Sequence, residues 1–177
     1  PNSLQNEKFK IPKILHPTQF STVNGKIQQF NTIYNYIDVL RITNIDIKEK
    51  TWTAEFYLDL VSQSDNPLDQ VIFNNLSSTN DKFSSKEIWR RKDDDDYNTV
   101  RYYIVANFDF LAIADNYPFD WQSVYISMTL KDNSKHILQP IPLELVDDEF
   151  DINEWHIENA FSGIKYKKNF LYKDTDL

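Results

Sequence analysis

The sequence predicts an all-β fold, a β-sandwich built as one domain. Several segments alternate apolar and polar residues with period two, and polar turns separate them, which is typical of a sandwich. The chain has 177 residues, of which 41% are hydrophobic and 15% aromatic. That length suits one domain with a buried core, and this composition argues against intrinsic disorder.

The first 30 residues mix Pro, Lys, Gln and Asn and have weak periodicity. We interpret residues 1–30 as an N-terminal arm or linker that leads into the first strand. Residues 31–177 then form the sandwich domain.

Two strands are predicted most clearly. In residues 51–60 and again in residues 100–110, alternate positions are apolar, so each segment predicts a half-buried strand. The apolar positions are Trp52, Ala54, Phe56, Leu58 and Leu60 in the first strand and Val100, Tyr102, Ile104, Ala106, Phe108 and Phe110 in the second. The one stretch that predicts a helical turn is Ser85–Arg91, which is too short to change the fold class.

A turn with residues that favour one fixed conformation follows the second of these strands, in the sequence NYPFDWQ at residues 116–122. Pro118 stands between two aromatic residues and fixes one backbone angle, and Asp120 offers a carboxylate that can cap nearby amides. Alternating residues resume in residues 123–130. The pattern therefore predicts a long, hairpin-like corner between two strands.

Composition and motifs argue against several function classes. A net charge of −8 and a pI near 4.8 disfavour nucleic acid or an anionic membrane surface as a partner. The chain has no Cys, and its three His, at positions 16, 136 and 156, have no metal-ligand spacing. No phosphate-binding loop or nucleophile elbow is present. We therefore expect a protein that is not an enzyme.

Two acidic clusters raise the question of a divalent cation, because Ca²⁺ prefers carboxylate oxygens. Asp93–Asp96 are consecutive, and such a run is usually solvated. The spacing of the second cluster suits the binding of one ion better than that of the first. It consists of Asp147, Asp148, Glu149 and Asp151. A solvated loop is the favoured interpretation there too, so we expect no cofactor, with a cation at this cluster as the alternative.

The segment FDFLAIADNYPFDWQSV, residues 108–124, carries a family resemblance. It resembles the signature loop of the pentameric ligand-gated ion channels, the Cys-loop receptor superfamily, in its cysteine-free prokaryotic form. Phe110 and Val124 stand where animal receptors have the two bridging cysteines, with thirteen residues between them. No disulfide can form here because the chain has no Cys.

Other segments occur in the order that this family requires. Tyr36–Ile42 and Thr51–Leu60 are similar to the first two strands of the family's extracellular domain. Val71–Asn75 resembles the segment after the second strand, and Phe150–Ile157 resembles the entry to the penultimate strand. The chain ends where one further strand and the first membrane helix of the family would follow.

The resemblance implies an immunoglobulin-like β-sandwich of the channel extracellular-domain type, without its last strand. It implies a ligand-binding sensor domain on the periplasmic or extracellular face, which couples small-molecule binding to a membrane domain in a homo-pentamer. Contact with the membrane would come only through a downstream segment. The alternative is a periplasmic sensor or interaction module of a signalling or transport protein, with the same sandwich and no channel.

The resemblance also implies binding residues. Phe73, Lys131 and Tyr172 fall on the principal face of one subunit, and Tyr57 and Tyr103 would face them from its neighbour. In animal receptors these positions form an aromatic box that holds a cationic amine by cation–π attraction. Lys131 stands where those receptors have Trp, which favours a carboxylate or another anion. For each aromatic residue alone, packing on a strand face is an alternative with at least equal weight.

The resemblance also implies a role for the turn at residues 116–122. Tyr117, Pro118, Phe119 and Asp120 would form a coupling loop that presses on the membrane domain and transmits ligand occupancy to a gate. A corner that only packs the end of the sandwich is the alternative interpretation.

Overall fold

The computed structural model describes residues 18–78, 83–92, 97–111 and 123–141. Within these ranges the chain forms strands and one short 3₁₀ helix. In chain order they are β1 (Thr18–Val23), β2 (Lys26–Asp46), β3 (Thr51–Ser62), the 3₁₀ helix (Pro67–Gln70), β4 (Val71–Phe73), β5 (Phe83–Lys92), β6 (Asn98–Asp109), β7 (Met128–Leu130) and β8 (His136–Pro140).

The strands form a large sheet and a small one. The large sheet has six strands in the order β1-β2-β3-β6-β5, with β8 also paired to β2. The small sheet pairs β4 with β7. All pairings are antiparallel except that of β2 with β8. The predicted all-β fold is confirmed.

The core lies on one face of the large sheet, and it is made of the alternate residues that the sequence indicated. The register places Trp52 opposite Phe108 and Phe56 opposite Ile104, so apolar residues of β3 meet apolar residues of β6. All four side chains are buried. Each of these pairs contributes packing between neighbouring strands as well as burial.

The small sheet packs on the same face. Val71 and Phe73 of β4 and Leu130 of β7 belong to the core cluster formed with β3 and β6, whereas Ile72 is exposed. The Phe73 ring centroid lies 6.3 Å from that of Phe56. Two sheets therefore meet face to face. The immunoglobulin-like type of this arrangement stays a prediction.

Part of the expected N-terminal arm is a β-hairpin. β1 and β2 are joined by Asn24 and Gly25, whose φ angles of 51° and 76° suit the tight turns that connect antiparallel strands. The apolar side chains Phe20 and Ile27 are 69% and 79% exposed. Strand alternation is weak here because both sides of the hairpin face solvent, and the domain boundary at residue 30 stays a prediction.

The predicted helical turn at Ser85–Arg91 is wrong. These residues lie within β5, which pairs with β6 from Phe83 to Lys92 with an irregularity between Glu87 and Trp89. Lys, Glu and Arg have good helix propensity, but a single isolated turn is unstable. Pairing along the edge of the large sheet determines the conformation instead.

Candidate functional site

The second face of the large sheet, opposite the core, carries most of the polar and charged side chains of β3 and β6. We call it the polar face. It brings together Tyr57 and Tyr103, which are direct cross-strand partners. Their ring centroids are 6.0 Å apart and the planes meet at 61°, an edge-to-face contact that aromatic pairs prefer. Both residues are half-buried. We call them the tyrosine pair.

Hydrogen bonding orients one member of this pair. The Tyr103 hydroxyl donates to Glu55 Oε2 at 3.0 Å, and Arg41 Nη1 lies 3.8 Å from Glu55 Oε1. Partial burial, followed by the hydrogen bond to Glu55, raises the pKa of Tyr103. The phenol is therefore held neutral, as a hydrogen-bond donor, at physiological pH.

A buried ion pair lies beside the tyrosine pair. Arg101 donates from Nε to Asp59 Oδ1 at 2.7 Å and from Nη2 to Asp59 Oδ2 at 2.6 Å. The Asp59 side chain is 0% exposed and that of Arg101 is 12% exposed. The Arg101 guanidinium carbon also lies 4.9 Å from the Tyr57 ring centroid and 5.7 Å from that of Trp89. Bidentate pairing and aromatic contacts fix the guanidinium in one position.

Burial and pairing act in opposite directions on these two charges. Burial raises the pKa of Asp59, although the hydrogen bond from Arg101 acts to lower it. For Arg101 burial acts to lower the pKa, but the pairing with Asp59 outweighs it and the pKa is raised. Asp38 is close enough to act on both groups. The buried carboxylate therefore depends on Arg101 for its charge.

The sequence did not identify Asp59, Arg101 or Trp89 as part of a site. Alternation placed Asp59 on the polar side of its strand and Arg101 on the polar side of another. The available signal was that Asp59 and Arg101 have opposite charges and that each lies on the polar side of its strand. It could not be used because the register of β3 against β6 cannot be read from alternation alone.

The predicted principal-face residues lie on the other side of the molecule. Phe73 is 8% exposed, and its ring packs against Phe56, Phe83 and Phe108. Lys131 directly follows β7 and is exposed, with its backbone N–H donating to Gln70 O at 2.8 Å. Phe73 therefore belongs to the small sheet and Lys131 directly follows one of its strands, but the Phe73 ring points into the core.

The large sheet separates the two groups of predicted residues. The small sheet, which contains Phe73 and is directly followed by Lys131, packs on the core face, whereas the tyrosine pair lies on the polar face. Within one chain, Tyr57 contacts Tyr103, and the strand of Phe73 pairs with the strand that Lys131 follows. The first pair and the second pair are not brought together. A site that contains both requires two copies of the chain.

The remaining predicted residues lie outside the described ranges. They are Tyr172, the coupling-loop residues Tyr117, Pro118, Phe119 and Asp120, and the acidic residues Asp147, Asp148, Glu149 and Asp151. Among the residues that are described, no group of three or more His, Asp or Glu is placed to hold a metal ion. No helix in these ranges is long and apolar enough to span a bilayer.

An open cleft of about 540 Å³ lies beside the turn between β2 and β3. Its lining is mostly polar and includes Asn44, Asp46, Thr53 and Asn107. Thr53 Oγ1 donates to Asn107 Oδ1 at 2.6 Å, so these two groups satisfy each other. The cleft offers no convergent charge to a ligand.

Comparison with protein-family models found no match, and comparison with characterised proteins found no significant match either.

Proposed function

We propose that this chain is the ligand-binding sensor domain of a protein of the pentameric ligand-gated channel type. It binds a small molecule between neighbouring copies of itself and couples occupancy to a membrane domain, without catalysis. The domain would stand on the periplasmic or extracellular face. Its partners are the ligand and, through a homo-pentamer, other copies of the same chain.

The observation that carries this proposal is the placement of the tyrosine pair. The resemblance requires Tyr57 and Tyr103 to form one wall of a site, and they are in contact. It also requires that wall to lie away from Phe73 and Lys131, and here Phe73 is in the small sheet on the core face and Lys131 directly follows that sheet's strand β7. Such a division suits a pocket whose two walls come from two subunits.

The surroundings of the tyrosine pair support the same function. Arg101 contacts Tyr57, and Glu55 holds the hydroxyl of Tyr103. Side chains held in this way lose little conformational freedom when a ligand binds, so less binding energy is spent on ordering them. A half-buried aromatic wall with fixed rings is typical of a small-molecule site.

The ligand class follows from Lys131. Its side chain is exposed at the end of β7, where animal receptors of the resembled family carry Trp. Phe73 is buried and contributes packing, which leaves Lys131 as the principal-face group with a charge to offer. An ammonium group attracts a carboxylate and repels an amine, most strongly in a partly desolvated pocket. We therefore assign small carboxylates as the preferred ligand class.

The test is titration of the assembled full-length protein with matched probes, butyrate and butylamine, followed by calorimetry. We expect butyrate to bind more tightly, and Lys131→Gln to weaken its binding by roughly tenfold or more, because a charge-assisted hydrogen bond is lost. Lys135→Gln is the matched control, since Lys135 is also exposed and lies in the next turn.

Tighter binding of butylamine, or equal butyrate affinity in the Lys131→Gln and wild-type proteins, would contradict the ligand class. Binding of either probe by isolated monomers as tightly as by the assembly would favour the alternative function, a sensor module that needs no pentamer.

A further inference from the structure

The side chain of Asn75 holds two segments that are distant in sequence. Its Nδ2 group donates to Asp109 O at 2.9 Å and to Tyr125 O at 2.8 Å, and its Oδ1 accepts from the Ser127 N–H at 2.9 Å. Asp109 ends β6, and Tyr125 and Ser127 precede β7. Both amide hydrogens and the amide oxygen are therefore used to join the two ends of the loop between these strands.

The backbone at Asn75 strengthens this junction. The Asp109 N–H donates to Asn75 O at 2.8 Å, and the next residue, Leu76, forms a bridge with Phe108 of β6. β4, in the small sheet, ends two residues earlier at Phe73. The chain therefore crosses from the small sheet to the large one at Asn75, so a single residue contacts the ends of β4 and β6 and the segment before β7.

Phe110 and Val124, the positions at which the resembled family carries its bridging cysteines, are adjacent in sequence to Asp109 and Tyr125, which Asn75 joins. Phe110 is 3% exposed, and Val124 packs against the same core cluster. Apolar packing favours the closed arrangement but has no direction, whereas hydrogen bonds fix relative position. The side-chain hydrogen bonds of Asn75 therefore fix the relative position of the two segments in a way that apolar packing does not.

We propose that Asn75 is the positioning residue that holds the end of β6 beside residues 125–127, in the mechanical role that a covalent cross-link between these two segments would have. It also joins the end of β4 to both of these segments. This positioning role does not depend on the proposed function.

The neighbouring asparagine provides a matched control. Asn74 Nδ2 donates to Ser127 Oγ at 3.1 Å, and Asn74 Oδ1 accepts from Thr129 Oγ1 at 2.9 Å. Its backbone N–H donates to Ser127 O. These contacts join β4 to the β7 side alone, and none reaches β6. Loss of the Asn74 side chain should therefore leave the β6 end of the loop in place.

The experiment measures amide hydrogen exchange in this chain for Asn75→Asp, Asn75→Ala and Asn74→Ala. The reporters are Asp109 and Phe110, whose amides bond to the Asn75 and Lys50 backbone carbonyls and not to the Asn75 side chain. In Asn75→Asp both donated hydrogen bonds are lost and a carboxylate faces two carbonyls. We expect reporter exchange to rise roughly tenfold or more, while Ser127 keeps its acceptor and its protection.

Asn75→Ala should raise the amide exchange rates of the reporters and of Ser127 together. Asn74→Ala should leave the exchange rates of the reporters at their wild-type values. Adding Phe110→Cys and Val124→Cys to Asn75→Ala provides the rescue, because the oxidised pair should restore reporter protection and the reduced pair should not. Equal reporter exchange in the Asn75 and Asn74 variants would overturn the proposal. If the cysteine variant fails to fold, the comparison of Asn75→Asp with Asn74→Ala decides the question by itself.

Discussion

At the scale of single residues, the polar face depends on one buried pair of charges. Asp59 has no exposed side-chain surface, and Arg101 is the basic group that bonds to both of its oxygens. Removing one partner from a buried pair leaves an uncompensated charge, which costs far more than losing an exposed pair. The tyrosine pair shares this dependence because Arg101 contacts the Tyr57 ring.

Arg101→Met should lower the free energy of unfolding by about 3–5 kcal/mol at neutral pH, because Asp59 stays buried without its partner. The double variant Asp59→Asn, Arg101→Met should recover part of that loss. Arg41→Met is the control: Arg41 is 66% exposed beside Glu55, and an exposed pair contributes less than about 1 kcal/mol. Urea unfolding measures all four proteins, and similar losses for Arg101→Met and Arg41→Met would contradict the role of the pair.

The pH dependence of Arg101→Met tests the same explanation. A carboxyl whose folded pKa is raised gives the folded state more bound protons than the unfolded state, so its contribution to stability grows as pH falls. Burial already raises the pKa of Asp59 above 3.8, and removal of Arg101 removes the opposing effect. The stability gap between Arg101→Met and wild type should therefore narrow as pH falls from neutral toward 3.8. A gap that is constant with pH would contradict this assignment.

At the scale of strands, alternation predicted the central part of the fold and failed at its edges. β3 and β6 are buried on one side at the positions indicated, because each is central in the sheet and has one face in the core. β5 is an edge strand, and its sequence reads as a helical turn because pairing, not burial, holds it. β1 was missed since both sides of its hairpin are largely exposed.

The same contrast between central and edge strands predicts the stability of two Phe variants. Phe56 is fully buried in β3, so Phe56→Ala should lower the free energy of unfolding by about 3–5 kcal/mol through lost burial and a residual cavity. Phe20 is 69% exposed in β1, and Phe20→Ala should change it by less than about 0.5 kcal/mol. Chemical denaturation measures the free energy of unfolding of both variants. Equal losses of stability would contradict the assignment of Phe56 to the core and of Phe20 to the exposed hairpin.

The candidate site could be predicted only in part for a related reason. Tyr57 and Tyr103 came from the resemblance, and the register brings them into contact. Asp59, Arg101 and Asn75 were not predicted, because their roles depend on contacts with residues 34 or more positions away in the chain. Phe73 shows the reverse case: a position chosen by resemblance carries a ring that is packed in the core.

At the scale of the whole molecule, two walls of one proposed pocket lie on opposite sides of the large sheet. Lys131 follows β7 on the core side, and the tyrosine pair lies on the polar face. We propose that these walls meet only between neighbouring copies. An assembly that repeats one such interface around a ring contains as many sites as subunits.

The most direct test mixes two defective forms of the full-length protein in one assembly and measures butyrate binding by calorimetry. Lys131→Gln alone and Tyr103→Ala alone should each bind weakly. Random co-assembly in equal amounts gives about one interface in four with an intact Lys131 from one copy and an intact Tyr103 from its neighbour. We predict that the mixed assembly recovers wild-type affinity at about that fraction of sites. Recovery of none, with both variants assembled, would show that the two residues do not form one site between copies.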